Sequence, residues 1–313
     1  DGRFREFTQA DIDVVDRDAL AFHHEVEMAV VMSTVLAELP IPPAVIHVSN
    51  RKLAEGFYRA VGASDPSAVL RAVDRLDKAG PDAVGRMLVA EAGLSASAAD
   101  QCLAMAAIQA PDAGFVEQLE AIGPANALMA AGIEELLAVI EGANRQRPGS
   151  VVADLRIARG LDYYTGTVYE TILEGHASIG SISSGGRYDA LASDGRTTYP
   201  GVGISLGVSR LVSVLLDRGL VAVDRRVPSA VLVAVNDEQS RGASEEVAGA
   251  LRARGIPCEV APRADKFGKQ IRYADRRGIP YVWFPGIDAP LKDIRSGEQV
   301  TADPTKGAGI ALS

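Results

Sequence analysis

Short apolar runs and stretches with helical periodicity alternate over the first 60 residues. Residues 3–15 alternate polar and apolar positions, which predicts a β-strand with one polar face. Apolar positions three and four apart over 18–39 predict an amphipathic helix, whereas 44–48 and 50–61 predict a short buried strand and a second helix. The polar face of the first strand carries Arg3, Arg5, Gln9, Asp11 and Asp13.

The pattern changes between residues 65 and 146. This stretch is rich in alanine, and Gly or Pro residues interrupt its helical spacing at 80–81, 93, 111 and 123–124. No catalytic pattern lies in it. We therefore predict an inserted helical module whose side chains serve packing.

A second group of apolar runs surrounds a polar turn. One run ends just before Arg159, and an alternating strand resumes after the turn, over 167–173. Arg159 and Tyr164 therefore lie at strand ends, where a rigid sheet holds polar side chains against a small molecule. The segment predicts a ligand site. The alternative for Arg159 is a structural ion pair with Asp162 or Glu170.

Strands and helices alternate after Pro228, which predicts a parallel sheet covered by helices. A generic nucleotide-binding domain has the same order of elements, but no G-x-G-x-x-G follows the first strand. Residues 291–301, with Ser296 and Gly297 in the middle, predict a terminal hairpin. The predicted strands are 230–235, 258–261 and 281–284, and the predicted helices are 238–254 and 266–278.

Composition narrows the class of protein. With 313 residues and 47% hydrophobic content, the chain can form a large core and two or three domains. No apolar run approaches the roughly 20 residues of a membrane span, and the two cysteines lie far apart and outside any metal-binding pattern. We expect a cytoplasmic globular protein with no membrane partner, no disulfide and no structural metal.

The net charge of -9 argues against nonspecific coating of nucleic acid, since that affinity comes from Lys and Arg on phosphates. A local exception lies between residues 263 and 277, where basic residues outnumber acids. Contact with phosphates and a solvated helix face both fit this pattern. The basic residues are Arg263, Lys266, Lys269, Arg272, Arg276 and Arg277.

Three ordered motifs follow one another along the chain. They are R-G-L-D-Y-Y at 159–164, S-G-G-R-Y-D at 184–189, and a glycine-rich strand followed by a helix start and an arginine at 201–211. The first two closely resemble the histidine-specific motifs of histidyl-tRNA synthetases, and the third resembles the segment that closes a class II synthetase site. Residues 266–275 and 292–299 are similar to the anticodon-binding domain of the same enzymes.

The resemblance implies a fold class and three regions. A class II synthetase catalytic core, an α+β fold with an antiparallel sheet and helices, would comprise residues 1–64 and 147–224. Residues 65–146 would be a helical insertion, and residues 228–313 an α/β anticodon-binding domain. The chain begins inside the second class II motif, so we expect that this 313-residue chain alone does not activate histidine.

The resemblance also implies a reaction, its substrates and its partners. A histidine-tRNA ligase joins histidine to ATP as histidyl-adenylate and then transfers histidine to the 3′ end of tRNA(His). Magnesium accompanies ATP, and a homodimer is expected from the family. The implied residues are Arg159 for catalysis; Gln9, Asp13, Arg159, Tyr163, Tyr164 and Tyr188 for histidine; Arg3, Arg5 and Arg210 for ATP; and Lys266, Lys269 and Arg272 for tRNA.

Glycines next to these residues are expected to open space for the ligands. By the resemblance, Gly185 and Gly186 bring the strand that carries Tyr188 close to histidine. The small residues that follow position 201 are expected to admit adenine to the backbone in the same way.

Two kinds of relative with the same fold are the alternatives. A non-catalytic paralogue, such as the regulatory subunit of ATP phosphoribosyltransferase, senses histidine without activating it. That relative usually lacks an intact R-G-L-D-Y-Y segment and the appended α/β domain. Class II synthetases for Thr, Pro or Gly share the anticodon-domain type but lack the paired tyrosines at 163 and 164 and the G-G-R-Y-D pattern.

Overall fold

The computed structural model describes most of the chain as two compact units. They comprise residues 1–221 and 222–313, and each has its own sheet and hydrophobic core. Within the described residues, no helix is long and apolar enough to cross a membrane. The described residues are 5–123, 125–160, 163–221, 226–288 and 290–306.

A seven-stranded sheet organises the first unit. Its strands are β1 (Ala10–Val15), β2 (Ala44–Asn50), β3 (Gln109–Ala110), β4 (Val151–Asp154), β5 (Tyr164–Leu173), β6 (Ser183–Tyr188) and β7 (Gly201–Leu206). From edge to edge, the order is β1-β7-β6-β5-β2-β4-β3. Strands β2 and β4 are parallel, whereas the other neighbouring pairs are antiparallel.

The helices of the first unit lie between and after these strands. They are α1 (His23–Glu38), α2 (Arg51–Ala60), α3 (Pro66–Val73), α4 (Leu76–Ala79), α5 (Pro81–Ala90), α6 (Ala96–Ala106), α7 (Gly114–Ile122), α8 (Ala127–Gln146) and α9 (Val208–Asp217). A short 3₁₀ helix spans Ala177–Ile179. Helices α1, α2 and α8 pack on the sheet and on one another.

Asparagine caps begin two of the helices that pack on the sheet. Asn50 accepts a hydrogen bond from the backbone N–H of Lys52 at 2.9 Å at the start of α2. Asn126 accepts one from the N–H of Met129 at 3.0 Å at the start of α8. The side chain of Asn126 also donates to the carbonyl oxygen of Gly56 at 2.7 Å, which joins the start of α8 to α2.

Helices α2 and α8 cross with their backbones in close contact. A Cβ atom added to Gly56 would lie 2.4 Å from the backbone nitrogen of Met129. One added to Gly132 would lie 2.2 Å from the backbone nitrogen of Leu53. Because the obstacles are backbone atoms, neither position accepts a side chain without moving a helix.

A five-stranded sheet organises the second unit. Its strands are β8 (Val231–Val233), β9 (Cys258–Val260), β10 (Tyr281–Trp283), β11 (Leu291–Asp293) and β12 (Gln299–Val300), in the order β12-β11-β10-β8-β9. Strand β8 is parallel to β9 and β10, and β11 and β12 form an antiparallel hairpin. Helices α10 (Arg241–Ala253) and α11 (Phe267–Arg277) pack against this sheet. The parallel alternation and the terminal hairpin agree with the sequence pattern.

The first strand is shorter than its sequence pattern predicts. It begins at Ala10, and Ala10 lies opposite Leu206, the last residue of β7. Residues 5–9 lie beyond the end of β7, so this neighbouring strand does not extend the ladder to them. Residues 3 and 4 of the predicted strand lie outside the described residues.

Two further boundaries differ from the prediction. Helix α1 begins at His23 and not at residue 18, because Asp18 has a left-handed backbone with φ of 64°. In the stretch predicted to be almost wholly helical, Gln109 and Ala110 form β3 and pair with the end of β4. The division of this unit into a catalytic core and an insertion at 65–146 remains a prediction.

Candidate active site

The sheet register brings together three of the residues predicted to bind histidine. Asp13, Tyr164 and Tyr188 lie on the face of the sheet opposite the packed helices. Asp13 on β1 lies opposite Gly203 on β7, and Gly203 lies opposite Gly186 on β6. Near this row, Tyr188 lies opposite Tyr164 across β6 and β5. Side chains from three strands, β1, β5 and β6, therefore meet at one patch of the sheet, and β7 contributes a glycine to it.

Tyr188 and Asp13 are joined directly. The Tyr188 hydroxyl donates to Oδ1 of Asp13 at 2.9 Å. Burial of Tyr188, with the hydrogen bond and negative charge of Asp13, raises the pKa of Tyr188 to about 12. The phenol is therefore protonated at neutral pH. A carboxylate has several acceptor positions, so Asp13 can still accept an N–H from a ligand.

Tyr164 lies beside this pair, and Tyr163 packs against it. The ring centroids of Tyr163 and Tyr164 are 4.4 Å apart. Burial raises the pKa of Tyr164, and Tyr163, Asp13 and Tyr188 raise that pKa further. Tyr163 is 43% exposed, so it lies at the rim of the patch while Tyr164 lies within it.

Glycines on β7 make room for side chains of the patch itself. A Cβ atom at Gly203 would lie 2.0 Å from Oδ1 of Asp13. A Cβ atom at Gly201 would lie 2.4 Å from the ring of Tyr188. Larger residues at either position would displace the two groups that form the hydrogen bond.

The two glycines of the second motif also lie in close contact with protein atoms. A Cβ atom at Gly186 would lie 2.8 Å from the Tyr164 ring, and one at Gly185 would lie 2.1 Å from the carbonyl oxygen of Gly203. Neither position therefore accepts a side chain without a shift of a neighbouring strand or of Tyr164, and the role of these glycines in bringing β6 close to histidine stays a prediction.

A tight turn before β5 brings Arg159 close to the tyrosines. Gly160 has φ of 66°, and its carbonyl oxygen accepts from the N–H groups of Tyr163 and Tyr164, each at 3.2 Å. Arg51, at the start of α2, donates to the same carbonyl oxygen at 2.7 Å. The turn is thus fixed from below by a helix of the core.

Arg159 forms an ion pair with Glu170 on β5. Its Nε lies 2.5 Å from Oε1 of Glu170, and its side chain is 51% exposed. The structural ion pair considered for Arg159 is therefore present with Glu170, whereas Asp162 lies outside the described residues. Burial raises the pKa of Glu170, and the charge of Arg159 opposes that rise. A guanidinium has five N–H donors, so pairing through Nε leaves donors for a carboxylate or phosphate.

A cavity of about 600 Å³ opens beside Arg159, Tyr163 and Tyr164. This volume suits a small-molecule ligand. Glu170 and other sheet residues line it on one side, and residues of α4 and the turn before it line it on another. Among the described residues, its lining includes Tyr164 but neither Asp13 nor Tyr188, so those two adjoin the cavity through Tyr164.

Arg210 lies at the other end of β7. It is in the first turn of α9, and Nη2 donates to the carbonyl oxygen of Ile179. Its Nε is buried and makes no hydrogen bond with the described residues. Tyr188 lies opposite Gly201, at the start of the same strand, so Arg210 and the tyrosines are separated by the length of β7.

The segment before β1 lies beside Arg210. The N–H of Thr8 donates to Oγ of Ser209 at 2.8 Å, and the N–H of Ser209 donates to the carbonyl oxygen of Thr8 at 3.2 Å. Arg5 and Gln9 flank this contact and are exposed. The side-chain amide of Gln9 donates to Oδ1 of Asp11 at 3.5 Å, so Gln9 lies between the Ser209 contact and Asp13 along this segment, and its role for histidine stays a prediction. Arg3 lies outside the described residues.

A polar network continues from Glu170 toward the β3 edge, and the sequence pattern did not reveal it. His47 lies opposite Glu170 in the sheet, and its Nδ1 is 2.9 Å from Oδ2 of Asp154. Arg156 approaches Asp154 at 3.5 Å and Asp77 on α4 at 3.2 Å. The available signal was a polar residue, Asp154, at the end of an apolar run. Its partners depend on strand register, which local periodicity does not specify.

The predicted basic helix lines a groove of about 600 Å³ in the second unit. Lys269 and Arg272 line this groove beside Tyr273, and Lys269 pairs with Asp265 at 3.2 Å. Lys266 is exposed at the start of α11. The structure thus brings the three cations to one helix and two of them, Lys269 and Arg272, to one concave surface.

Comparison with known families gives the site its context. A family model described as histidyl-tRNA synthetase matches residues 1–211, and one described as anticodon binding domain matches residues 229–303. The chain belongs to the histidyl-tRNA synthetase family. The site on the large sheet therefore lies in the part of the chain that matches the synthetase model, and the basic groove lies in the part that matches the anticodon-binding model.

Curated relatives of the histidyl-tRNA synthetase family align with nearly the whole chain. The protein named histidine-tRNA ligase from Cutibacterium acnes is 58% identical over 314 residues, which covers 97% of this chain and 69% of the relative. The protein of the same name from Thermobifida fusca is 44% identical over 314 residues, which covers 99% of this chain and 72% of the relative.

A solved structure confirms the predicted fold class. The histidyl-tRNA synthetase from Nostoc sp. PCC 7120 matches with a TM-score of 0.76 and 32% identity, covering 96% of this chain and 72% of that chain. A structure from Bacillus halodurans described as an ATP phosphoribosyltransferase regulatory subunit/histidyl-tRNA synthetase matches with a TM-score of 0.63 and 16% identity, covering 85% of this chain and 66% of that chain. At that identity the second likeness concerns the fold alone.

Proposed function

We propose that this histidyl-tRNA synthetase family member activates histidine with ATP and transfers it to the 3′ end of tRNA(His). The observation that carries the proposal is the hydrogen-bonded pair of Asp13 and Tyr188, with Tyr164 opposite Tyr188 and beside a cavity that has Arg159 on its wall. The cluster suits an imidazole, and the guanidinium suits the carboxylate of the same amino acid.

Selection of histidine follows from the chemistry of the cluster. The imidazole N–H donates to Asp13, and the second ring nitrogen accepts from a tyrosine hydroxyl, for which Tyr164 is the candidate. Both tyrosines have raised pKa values, so their hydroxyl protons are present at neutral pH. A pocket of this kind disfavours an amino acid that leaves its polar groups unpaired by about 10⁴-fold or more.

Activation joins the histidine carboxylate to the α-phosphorus of ATP. A carboxylate oxygen attacks that phosphorus, the bond to the bridging oxygen breaks, and pyrophosphate leaves. Arg159 neutralises the charge that the carboxylate and α-phosphate bring together, while Glu170 orients its guanidinium through Nε. A terminal hydroxyl of tRNA then attacks the carbonyl carbon of the adenylate, and AMP leaves.

The arginine end of β7 is the proposed ATP side. Arg210 contributes a part-buried guanidinium with an unpaired Nε, and Arg5 contributes an exposed cation nearby. Arg3 remains part of the proposal through the resemblance alone. No group of three or more His, Cys, Asp or Glu side chains in the described part of the chain could hold a metal ion. Magnesium enters this proposal with the triphosphate, and no ligands on the protein are assigned to it.

The second unit is proposed to contact tRNA. Lys266, Lys269 and Arg272 place positive charge on one helix, beside a groove whose size admits part of a nucleotide. The family also supports a cytoplasmic homodimer, which belongs to the proposal and not to the structural findings.

Amino-acid-dependent ATP-pyrophosphate exchange tests the reaction. The full-length protein is assayed with each of the 20 standard amino acids, and we expect exchange with histidine alone. Exchange with another amino acid would assign the site to a different class II substrate. Histidine binding by calorimetry without any exchange would favour the non-catalytic relative. A charging assay with tRNA(His) then tests the second step.

A further inference from the structure

A buried carboxylate lies on the other face of the sheet from the patch formed by Asp13, Tyr164 and Tyr188. Glu25, in the first turn of α1, is 0% exposed. Its Oε2 accepts from the backbone N–H of Thr167 at 3.1 Å and from the Thr167 hydroxyl. Its Oε1 accepts from Nη1 of Arg187 at 2.8 Å, and its carbonyl oxygen accepts from the Tyr169 hydroxyl at 2.6 Å. One side chain thus binds two neighbouring strands from below.

The contact with Thr167 falls on an irregularity of β5. Between Tyr164, opposite Tyr188, and Val168, opposite Gly186, β5 has two more residues than β6. An extra stretch of this kind bends a strand and redirects its side chains. Thr167 is in the extra stretch, so Glu25 bonds the part of β5 that determines where Tyr164 lies.

Gly166 allows this contact to form. A Cβ atom at Gly166 would lie 2.8 Å from Cδ of Arg187 and 3.3 Å from Oε2 of Glu25. The bulged strand therefore packs directly on the ion pair. The pair occupies the space that a side chain at this position would fill.

The contact with Arg187 reaches the second tyrosine. Arg187 precedes Tyr188 on β6, and alternation directs the two side chains to opposite faces of the sheet. Nε of Arg187 also donates to Asp189 at 3.1 Å. Arg187 is therefore held at its guanidinium while Tyr188, on the other face, donates to Asp13.

We infer that Glu25, acting through Thr167 and Arg187, is a positioning residue that fixes the spacing between Tyr164 and Tyr188 for histidine. The inference rests on the proposed function, since it assigns these tyrosines to histidine recognition. The negative charge matters because Arg187 would keep its more exposed partner, Asp189, but lose its buried one. The loss of a buried charged partner costs more than the loss of a neutral hydrogen bond.

The test compares Glu25→Gln with the wild type, both as the full-length protein, in histidine calorimetry and in pyrophosphate exchange. We expect Glu25→Gln to raise the Kd and KM for histidine by roughly tenfold to a hundredfold, as small displacements of positioned groups do. The KM for ATP should change by less than about twofold, because Arg210 lies at the far end of β7. Glu27→Gln is the matched control. Glu27 is on the same helix, is 53% exposed and pairs with His24.

Thr167 provides a milder variant should Glu25→Gln fail to fold. Thr167→Val removes the hydroxyl that donates to Glu25 at nearly constant volume, and Thr167→Ser retains it. We expect Thr167→Val to raise the histidine KM several-fold. In Thr167→Ser, which keeps the hydroxyl, the histidine KM should stay within about twofold of the wild-type value.

Three results separate the possible outcomes. Selective loss of histidine affinity, with rescue by Thr167→Ser, supports the positioning role. Equal changes in the histidine and ATP constants, or a lower melting temperature with unchanged constants, would overturn it in favour of a purely structural pair. A wild-type protein that neither binds histidine nor exchanges pyrophosphate would instead refute the proposed function, and that result is independent of every variant.

Discussion

Two parts of the candidate site hold their side chains in different ways. In the tyrosine cluster, Tyr188 donates to Asp13, and Tyr164 lies opposite Tyr188 across β5 and β6. The two arginines proposed for charge neutralisation, Arg159 and Arg210, are bonded to acceptors outside that cluster. The hydrogen-bonding groups of the cluster are therefore already positioned by the protein. The two arginines, in contrast, are paired with protein acceptors and would also have to bind the carboxylate and phosphates of the substrates. Changes in the cluster should act on histidine affinity, and changes in the arginines should act on the reaction or on ATP.

Arg159→Ala is the largest perturbation of this comparison. We expect kcat for pyrophosphate exchange to fall about 10²- to 10³-fold, because a donor directed at developing charge is lost. The fold should persist, since the Arg159 side chain is half exposed. Arg59→Ala is the control, because Arg59 is a comparably exposed arginine that pairs with Glu55 at 2.6 Å. Exchange at a near-normal rate in Arg159→Ala would remove Arg159 from the mechanism.

Tyr188→Phe tests the other side of the comparison. It removes the 2.9 Å hydrogen bond to the Asp13 carboxylate. A hydrogen bond to a charged group contributes about 1.5–3 kcal/mol, which corresponds to a rise in histidine KM of roughly tenfold to a hundredfold. The KM for ATP should not change. Tyr199→Phe, on the loop after β6, is the control, and equal effects of the two changes would contradict the assignment.

Arg210→Ala should distinguish the roles of the two ends of β7, because it should change the KM for ATP and not the KM for histidine. We expect the KM for ATP to rise roughly tenfold, equivalent to about 1.4 kcal/mol, while the histidine KM remains near the wild-type value. Arg218→Ala is a matched control, because Arg218 donates to Ser178 next to the Ile179 carbonyl that Arg210 contacts. If histidine affinity fell instead of ATP affinity, the proposal that ATP binds at the Arg210 end of β7 and histidine at the other end would be wrong.

Lys269→Ala provides a reference outside both parts of the site. Pyrophosphate exchange should be unaffected, whereas tRNA binding should weaken across sequences and its salt slope should decrease by about 1. Filter binding over a series of salt concentrations measures both quantities. Lys306→Ala, a lysine of the same unit that is 80% exposed, is the control. An unchanged slope would return α11 to a solvated helix face.

Glu170→Gln tests how the carboxyl group that pairs with Arg159 makes the stability of the protein depend on pH. The pKa of Glu170 is raised above its ordinary value of 4.5, chiefly by burial. A raised carboxyl pKa contributes stability below the unfolded value, and that contribution is lost as pH rises through the folded pKa. The wild type should therefore lose stability relative to Glu170→Gln as pH rises above 4.5. Thermal unfolding of both proteins across this window measures the difference, and parallel curves would contradict it.

Local pattern was sufficient for the elements whose burial repeats along the chain. The strands and helices after Pro228 and the strand of the first motif could be predicted because their apolar positions follow the spacing of the secondary structure. The start of β1 could not be predicted. It depends on where β7 ends, which is a property of the partner strand.

The motifs were a better guide to which residues come together than to what each residue contacts. Asp13, Tyr164 and Tyr188 do meet, but the glycines near them accommodate protein side chains and neighbouring strands. The ion pair between Glu25 and Arg187 joins residues 162 positions apart, so no local window contains it. Arg159 fits both interpretations offered for it, because an ion pair through Nε leaves other donors for a ligand.

The glycine contact between α2 and α8 restricts motion in the first unit. Sliding α8 along α2 would bring a residue with a side chain to the crossing, where Gly56 and Gly132 leave no room for one. Asn126 adds a directional bond from the start of α8 to α2. Helix α8 is therefore held in one register against α2. Any displacement of helices α3 to α7 toward a large substrate must be absorbed by the segments that connect them, and not by a shift of α8.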